Sequence, residues 1–123
     1  MKDSTIKQLI ALGDGVLAEV EHLSLTWGEL HEWQPSGYKE NLRNILTDDL
    51  VQLTRSLVLL DTDRRYASGS VAPAIWVFKL LEDRQYSGLL ALAKWIDQVS
   101  INPYLPFGTQ RYREAEFAKL GGE

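Results

Sequence analysis

The sequence predicts an all-α protein, folded as a single-domain compact bundle of four to five helices around a central buried helical hairpin. Three observations carry this. The stretch Ser70–Val99 reads as two apolar helices joined by Gln85-Tyr86-Ser87-Gly88. Apolar residues elsewhere recur at spacings of three and four, the period of one helical face. No segment alternates with the period of a strand, and no internal repeat or low-complexity tract interrupts the pattern.

The first helix is predicted over Ser4–His22, with Asp3 or Ser4 able to cap a free first-turn N–H. Ile6, Leu9, Ile10, Val16, Leu17, Val20 and Leu23 form its stripe. Gly13-Asp14-Gly15 interrupts the helix former sequence, as a bend, as a close approach of a neighbour, or as a break with Asp14 capping a second piece. Because the stripe keeps register across it, one kinked helix is expected. Ser24–Gly37, punctuated by Gly28, Pro35 and Gly37, reads as a loop with one helical turn.

Tyr38–Leu60 returns to helical spacing, either as one helix or as two meeting at Thr47, where Thr47-Asp48-Asp49 has the chemistry of a helix start. Asp61–Gly69 is a polar connector. Ser70 is expected to cap the central helix, with Pro73 in its first turn, where a missing N–H costs nothing. Only Lys79 breaks the apolar run Val71–Leu81, so Trp76 and Phe78 are both expected inside. The second arm carries a stripe at Leu89, Leu92, Ala93, Ile96 and Val99. Pro103 and Pro106 predict an extended course for the segment that follows. Thr109 is a candidate cap for a last short helix with Tyr112, Ala115, Phe117 and Leu120 as candidate contacts, and Gly121–Glu123 are expected to fray.

Composition sets the function classes. The chain has 123 residues, 45% of them apolar, enough for one self-sufficient core. Cysteine is absent, so neither a disulfide framework nor a thiolate metal site is expected. No apolar run follows Lys2 as in a secretory signal, and none is long enough for a membrane span. A cytoplasmic protein that does not enter membranes is the expectation. The net charge of −4 is concentrated in Met1–Gln34, where Lys2 and Lys7 face six acids. This argues against a nucleic-acid surface, which needs clustered cations. It suits a protein partner with a basic surface.

Motifs for chemistry fall short. Glu19-x-x-His22 places two ligands on one helical face, but a di-iron bundle needs the motif twice, and His31 has Gly28 three residues earlier. Asp61-Thr62-Asp63 opens like a calcium loop, then presents Arg65 at a ligand position and Tyr66 where glycine is required. Ser68-Gly69-Ser70 is not a nucleophile elbow, which needs a glycine on both sides of the serine after a strand. No catalytic residue, cofactor or metal is therefore expected.

The remaining candidate is an aromatic, acidic surface formed by Trp27, Glu29, His31, Glu32 and Trp33 and continued by Tyr104, Leu105 and Phe107. Aromatic side chains anchor protein interfaces. The alternative account makes both segments lids on the bundle. The expectation is a small protein-binding inhibitor, adaptor or accessory subunit, of a kind common among phage and mobile-element proteins, and compatible with self-association into a homo-oligomer. Two other classes compete: a nucleic-acid-associated subunit using Arg64, Arg65, Arg111 and Arg113, and an enzyme built on Asp48, Asp49, Asp61 and Asp63.

Overall fold

The computed structural model describes residues 1–23, 25–33 and 37–108, and within them the protein is all-α, with no strand. Six α-helices run in order: α1 (Asp3–Leu12), α2 (Trp27–Leu30), α3 (Tyr38–Leu42), α4 (Thr47–Asp61), α5 (Ala74–Asp83) and α6 (Leu89–Val99). Four of them, α1, α4, α5 and α6, have ten residues or more. Two 3₁₀ segments, Gly13–His22 and Gly69–Val71, complete the described elements. The expected final helix from Thr109, the Arg111–Arg113 pair and the glycine-rich end lie outside the described residues.

The helical expectation for Ser4–His22 is corrected at Gly13. Its φ of 46° ends α1, and its N–H closes the helix on Leu9 O. The close approach comes from α4: a Cβ on Gly13 would collide with Gln52 Oε1. The chain then tightens to three residues per turn for ten residues, a long run for 3₁₀ geometry. Residues three apart now eclipse, so Gly13 and Val16 face inward while Leu17 turns out to 41% exposure.

Tyr38–Leu60 is two helices. Leu46 is extended, with ψ at 149°, and α4 begins at Thr47 with Asp48 and Asp49 in its first turn, where carboxylates suit the helix dipole. The α3–α4 corner is held from α5's end by Arg84, whose guanidinium donates to Ile45 O at 2.6 Å, Arg43 O at 3.3 Å and Leu42 O at 3.4 Å.

α4 is the element on which the others assemble. It packs against α1, the Gly13–His22 segment, α5 and α6, whereas α5 and α6 are not a principal packing pair. The buried residues of α4 therefore surround its axis: Leu50, Leu53, Leu57 and Leu60 on the predicted stripe, with Thr54 and Val58 between them. Thr54 satisfies its hydroxyl on Leu50 O at 2.8 Å. Arg55 reaches across to Asp14 with two bonds of 2.6 and 2.8 Å and lays its guanidinium 4.2 Å above the Trp95 ring of α6.

α5 starts at Ala74 after Pro73, not at a Ser70 cap, because Gly69–Val71 makes its own 3₁₀ turn and leaves Val71 half exposed. Phe78 is buried as expected. Trp76 is not: it is only half-buried, stacked on Tyr38 of α3 with ring centroids 5.5 Å apart. Trp76, Lys79, Leu80 and Asp83 share one turn-by-turn face, and all stand partly or fully in solvent. α6 buries Leu89, Leu92, Ala93 and Ile96, the face read from its spacing. The segment after it turns instead of extending. Asn102 Oδ1 accepts from Tyr104 N, and Asn102 O accepts from Leu105 N.

Candidate interaction surface

α2 is the one helical turn expected in its segment, and Thr26 starts it by accepting the N–H of Glu29 at 3.1 Å. A four-residue helix sends its side chains in all directions, and its neighbours decide what each does. Glu29 is buried. One carboxylate oxygen accepts from Thr5 Oγ1 at 2.8 Å and from Lys2 N at 3.2 Å, which ties α2 to the start of α1. The Thr5 hydroxyl, more than any charge, holds this carboxyl below its usual range. Glu32 pairs with the Met1 amino group. Trp33 is 4% exposed and donates its indole N–H to Asn41 Oδ1 at 2.8 Å.

His31 and Trp27 go the other way. Their rings lie 3.9 Å apart between centroids, with Trp27 55% exposed. His31 Nδ1 is 2.7 Å from Trp27 O, and a carbonyl only accepts, so Nδ1 carries a hydrogen. Nε2 lies 2.6 Å from Ser68 Oγ, which is also 2.7 Å from Tyr66 O. With a neutral ring the Ser68 hydroxyl donates to Nε2. With a charged ring Nε2 donates to Ser68, which then donates to Tyr66 O.

The chain of contacts continues inward. Ser68 N donates to Asp61 Oδ1 at 2.9 Å, and Asn102 Nδ2 donates to Asp61 Oδ2 at 3.1 Å and to Gly69 O at 3.0 Å. Burial raises the Asp61 carboxyl above its usual range against the pull of these two donors. A serine and an imidazole stand within hydrogen-bond reach, as a nucleophile requires. However, Asp61 is committed to a backbone N–H and an amide instead of orienting the imidazole. The cluster fastens three segments to the end of α4: α2, the 66–71 connector and the 100–104 turn. Each segment carries one exposed large apolar side chain, Trp27, Val71 (50%) and Ile101 (98%).

The predicted surface thus divides. Trp27 is exposed, Glu32 is exposed, and His31 and Tyr104 are half-buried. Glu29, Trp33, Leu105 and Phe107 are inside, with Phe107 edge-on to Phe78 at 5.5 Å. Val71 and Ile101 were missed. Val71 stands at the head of the apolar run read as a buried helix and Ile101 stands alone in the turn after α6, so neither was marked as surface, and the Asp61 contacts fasten both segments to the same end of α4. The Arg64-Arg65-Tyr66 cluster is turned to structural use: Tyr66 is buried with its hydroxyl on Leu25 O, and Arg65 is bound to Asp63 and Glu21. Glu19 and His22 are both exposed, and among the described residues no three His, Cys, Asp or Glu side chains gather as a metal site would require. No described helix is long and apolar enough to cross a membrane. Comparison with protein-family models, with curated proteins and with solved structures found no match.

Proposed function

We propose that this protein works by binding another protein, as a cytoplasmic inhibitor, adaptor or accessory subunit, and that Trp27 is its anchor. The observation that carries the reading is an indole 55% exposed whose position is fixed from behind by His31. An exposed tryptophan that is already ordered loses little freedom on binding, and such residues dominate interface energies. Val71 and Ile101, exposed on the two other segments fastened at Asp61, are the further apolar side chains offered at this end of α4. Glu29 and Glu32 do not serve as steering charges for this face, since both hold the start of α1.

The test separates anchor from lid. Trp27→Ala is expected to change unfolding free energy by less than about 1 kcal/mol, as for a surface substitution. It should abolish capture of the wild-type partner from the native host. Trp33→Ala is expected to cost about 3–5 kcal/mol, the range for a buried aromatic. Capture by folded Trp27→Ala at the wild-type level would refute the assignment.

A further inference from the structure

A groove of about 560 Å³ opens between α1 and the α3–α4 corner. Its apolar lining is Ile6 and Ile10 from α1 together with Ile45 and Leu46 from the corner. Ile6 and Ile10 are one helical turn apart on the same face. Leu46 is 72% exposed, a leucine placed in solvent at a point where the backbone is extended between two helices. Arg84 holds that corner by three carbonyls, so the exposed leucine sits on a braced support and not on a free loop.

The polar lining is one-sided. Asp3, Glu40 and Asp49 contribute carboxylates, and Lys7 is the single cation. Glu40 has Arg43 at 3.9 Å, but both side chains are more than 70% exposed and such a pair is weak. Four apolar side chains line the groove beside six polar or charged ones, so a partner there must offer both apolar and charged groups. The acids repel a phosphate backbone or an anionic ligand and attract Lys and Arg.

We infer that this groove binds a basic amphipathic helix of another protein, with apolar residues one turn apart packing between Ile10 and Leu46 and Lys or Arg flanking them toward Asp3, Glu40 and Asp49. A helix is the occupant because Ile6 and Ile10, one turn apart on α1, and the exposed Leu46 of the corner line the same groove, so apolar side chains one turn apart on a partner helix meet them in series. The inference shares with the proposed function only the class of partner. The site is different: it lies at the first turn of α4, whereas the Trp27 cluster is fastened at Asp61, about 18 Å along the same helix at 1.5 Å per residue.

The experiment uses the full chain and two synthetic helical peptides with the same leucine pattern, one flanked by lysines and one by glutamates, in fluorescence anisotropy. The lysine peptide is expected to bind at least tenfold tighter than the glutamate peptide. Leu46→Lys, at an exposed position, should weaken it at least tenfold. Ala18→Lys, which adds the same charge at an exposed site away from the groove, should change affinity less than twofold. Trp27→Ala should bind the lysine peptide as wild type does, so failure here and failure of the Trp27 assignment are told apart. Equal weakening by Leu46→Lys and Ala18→Lys would reduce the effect to net charge, and absence of lysine-peptide binding would overturn the site outright. A wild-type dimer in sedimentation that Leu46→Lys converts to monomer would make the occupant a second copy and overturn the basic-helix assignment.

Discussion

Asp14 and Asp61 are the same side chain moved in opposite directions. Two bonds from Arg55 hold the Asp14 carboxyl below its usual range, while burial lifts Asp61 above it. The consequences for stability have opposite signs. The Asp14 contribution is present above the unfolded value near 4 and is lost as pH falls through its lowered folded value. The Asp61 contribution is fully present below the unfolded value and is lost as pH rises through its raised folded one. Asp14→Asn is therefore expected to flatten the loss of unfolding free energy between pH 7 and pH 3, by no more than about 1 kcal/mol for so exposed a partner. Identical slopes in wild type and variant would show that the Arg55 pair contributes nothing. At this scale the sequence was least legible. Glu29 beside two tryptophans reads as a surface charge, yet its role is set by Thr5, 24 positions away, which no local pattern reveals.

Among elements, the glycines carried real information. Gly13 and Gly15 mark the end of α1, but apolar register alone favours one continuous helix, because periods of 3.0 and 3.6 coincide over a turn or two. The two glycines are not equivalent. Gly13→Ala meets both a positive φ and Gln52, and is expected to cost about 1–3 kcal/mol, the range for backbone strain of this kind. Gly15 has no atom within 4 Å of an added Cβ, and Gly15→Ala should be neutral or stabilise by about 0.4–1 kcal/mol. Denaturant unfolding of the pair checks this, and equal effects would remove both the positive φ and the Gln52 contact from the explanation. α6 was legible throughout because one face packs and the other is wet. α5 was less so, since an apolar sequence does not say that Trp76 and Leu80 lie on a side that is only partly covered.

For the whole molecule, the all-α class followed from periodicity and the hub did not. The most apolar stretch looked central, but position among neighbours decides burial, and α4 buries Thr54, Ser56 and Asp61 along with its leucines. Among the described residues, Ser56 Oγ is a buried side-chain oxygen with no hydrogen-bond partner in the protein. Its carboxyl end depends on Asp61. Asp61→Asn keeps an acceptor for Ser68 N but puts an amide against Asn102 Nδ2. It is expected to cost about 1–3 kcal/mol for the lost bond and to speed amide exchange at Ser68. Unchanged exchange there would mean that the connector is held by other contacts.

The central place of α4 also sets an order of events during synthesis. The face of α1 and the Gly13–His22 segment that carries Leu9 and Val16 is covered chiefly by a helix made later, and Asp14 meets Arg55 across 41 positions. At about 5–20 residues per second, that stripe waits roughly 2–8 s on the ribosome before its platform exists. During that interval the amino-terminal quarter exposes an apolar stripe, and the surplus of acids in Met1–Gln34 opposes its association with other chains of like charge.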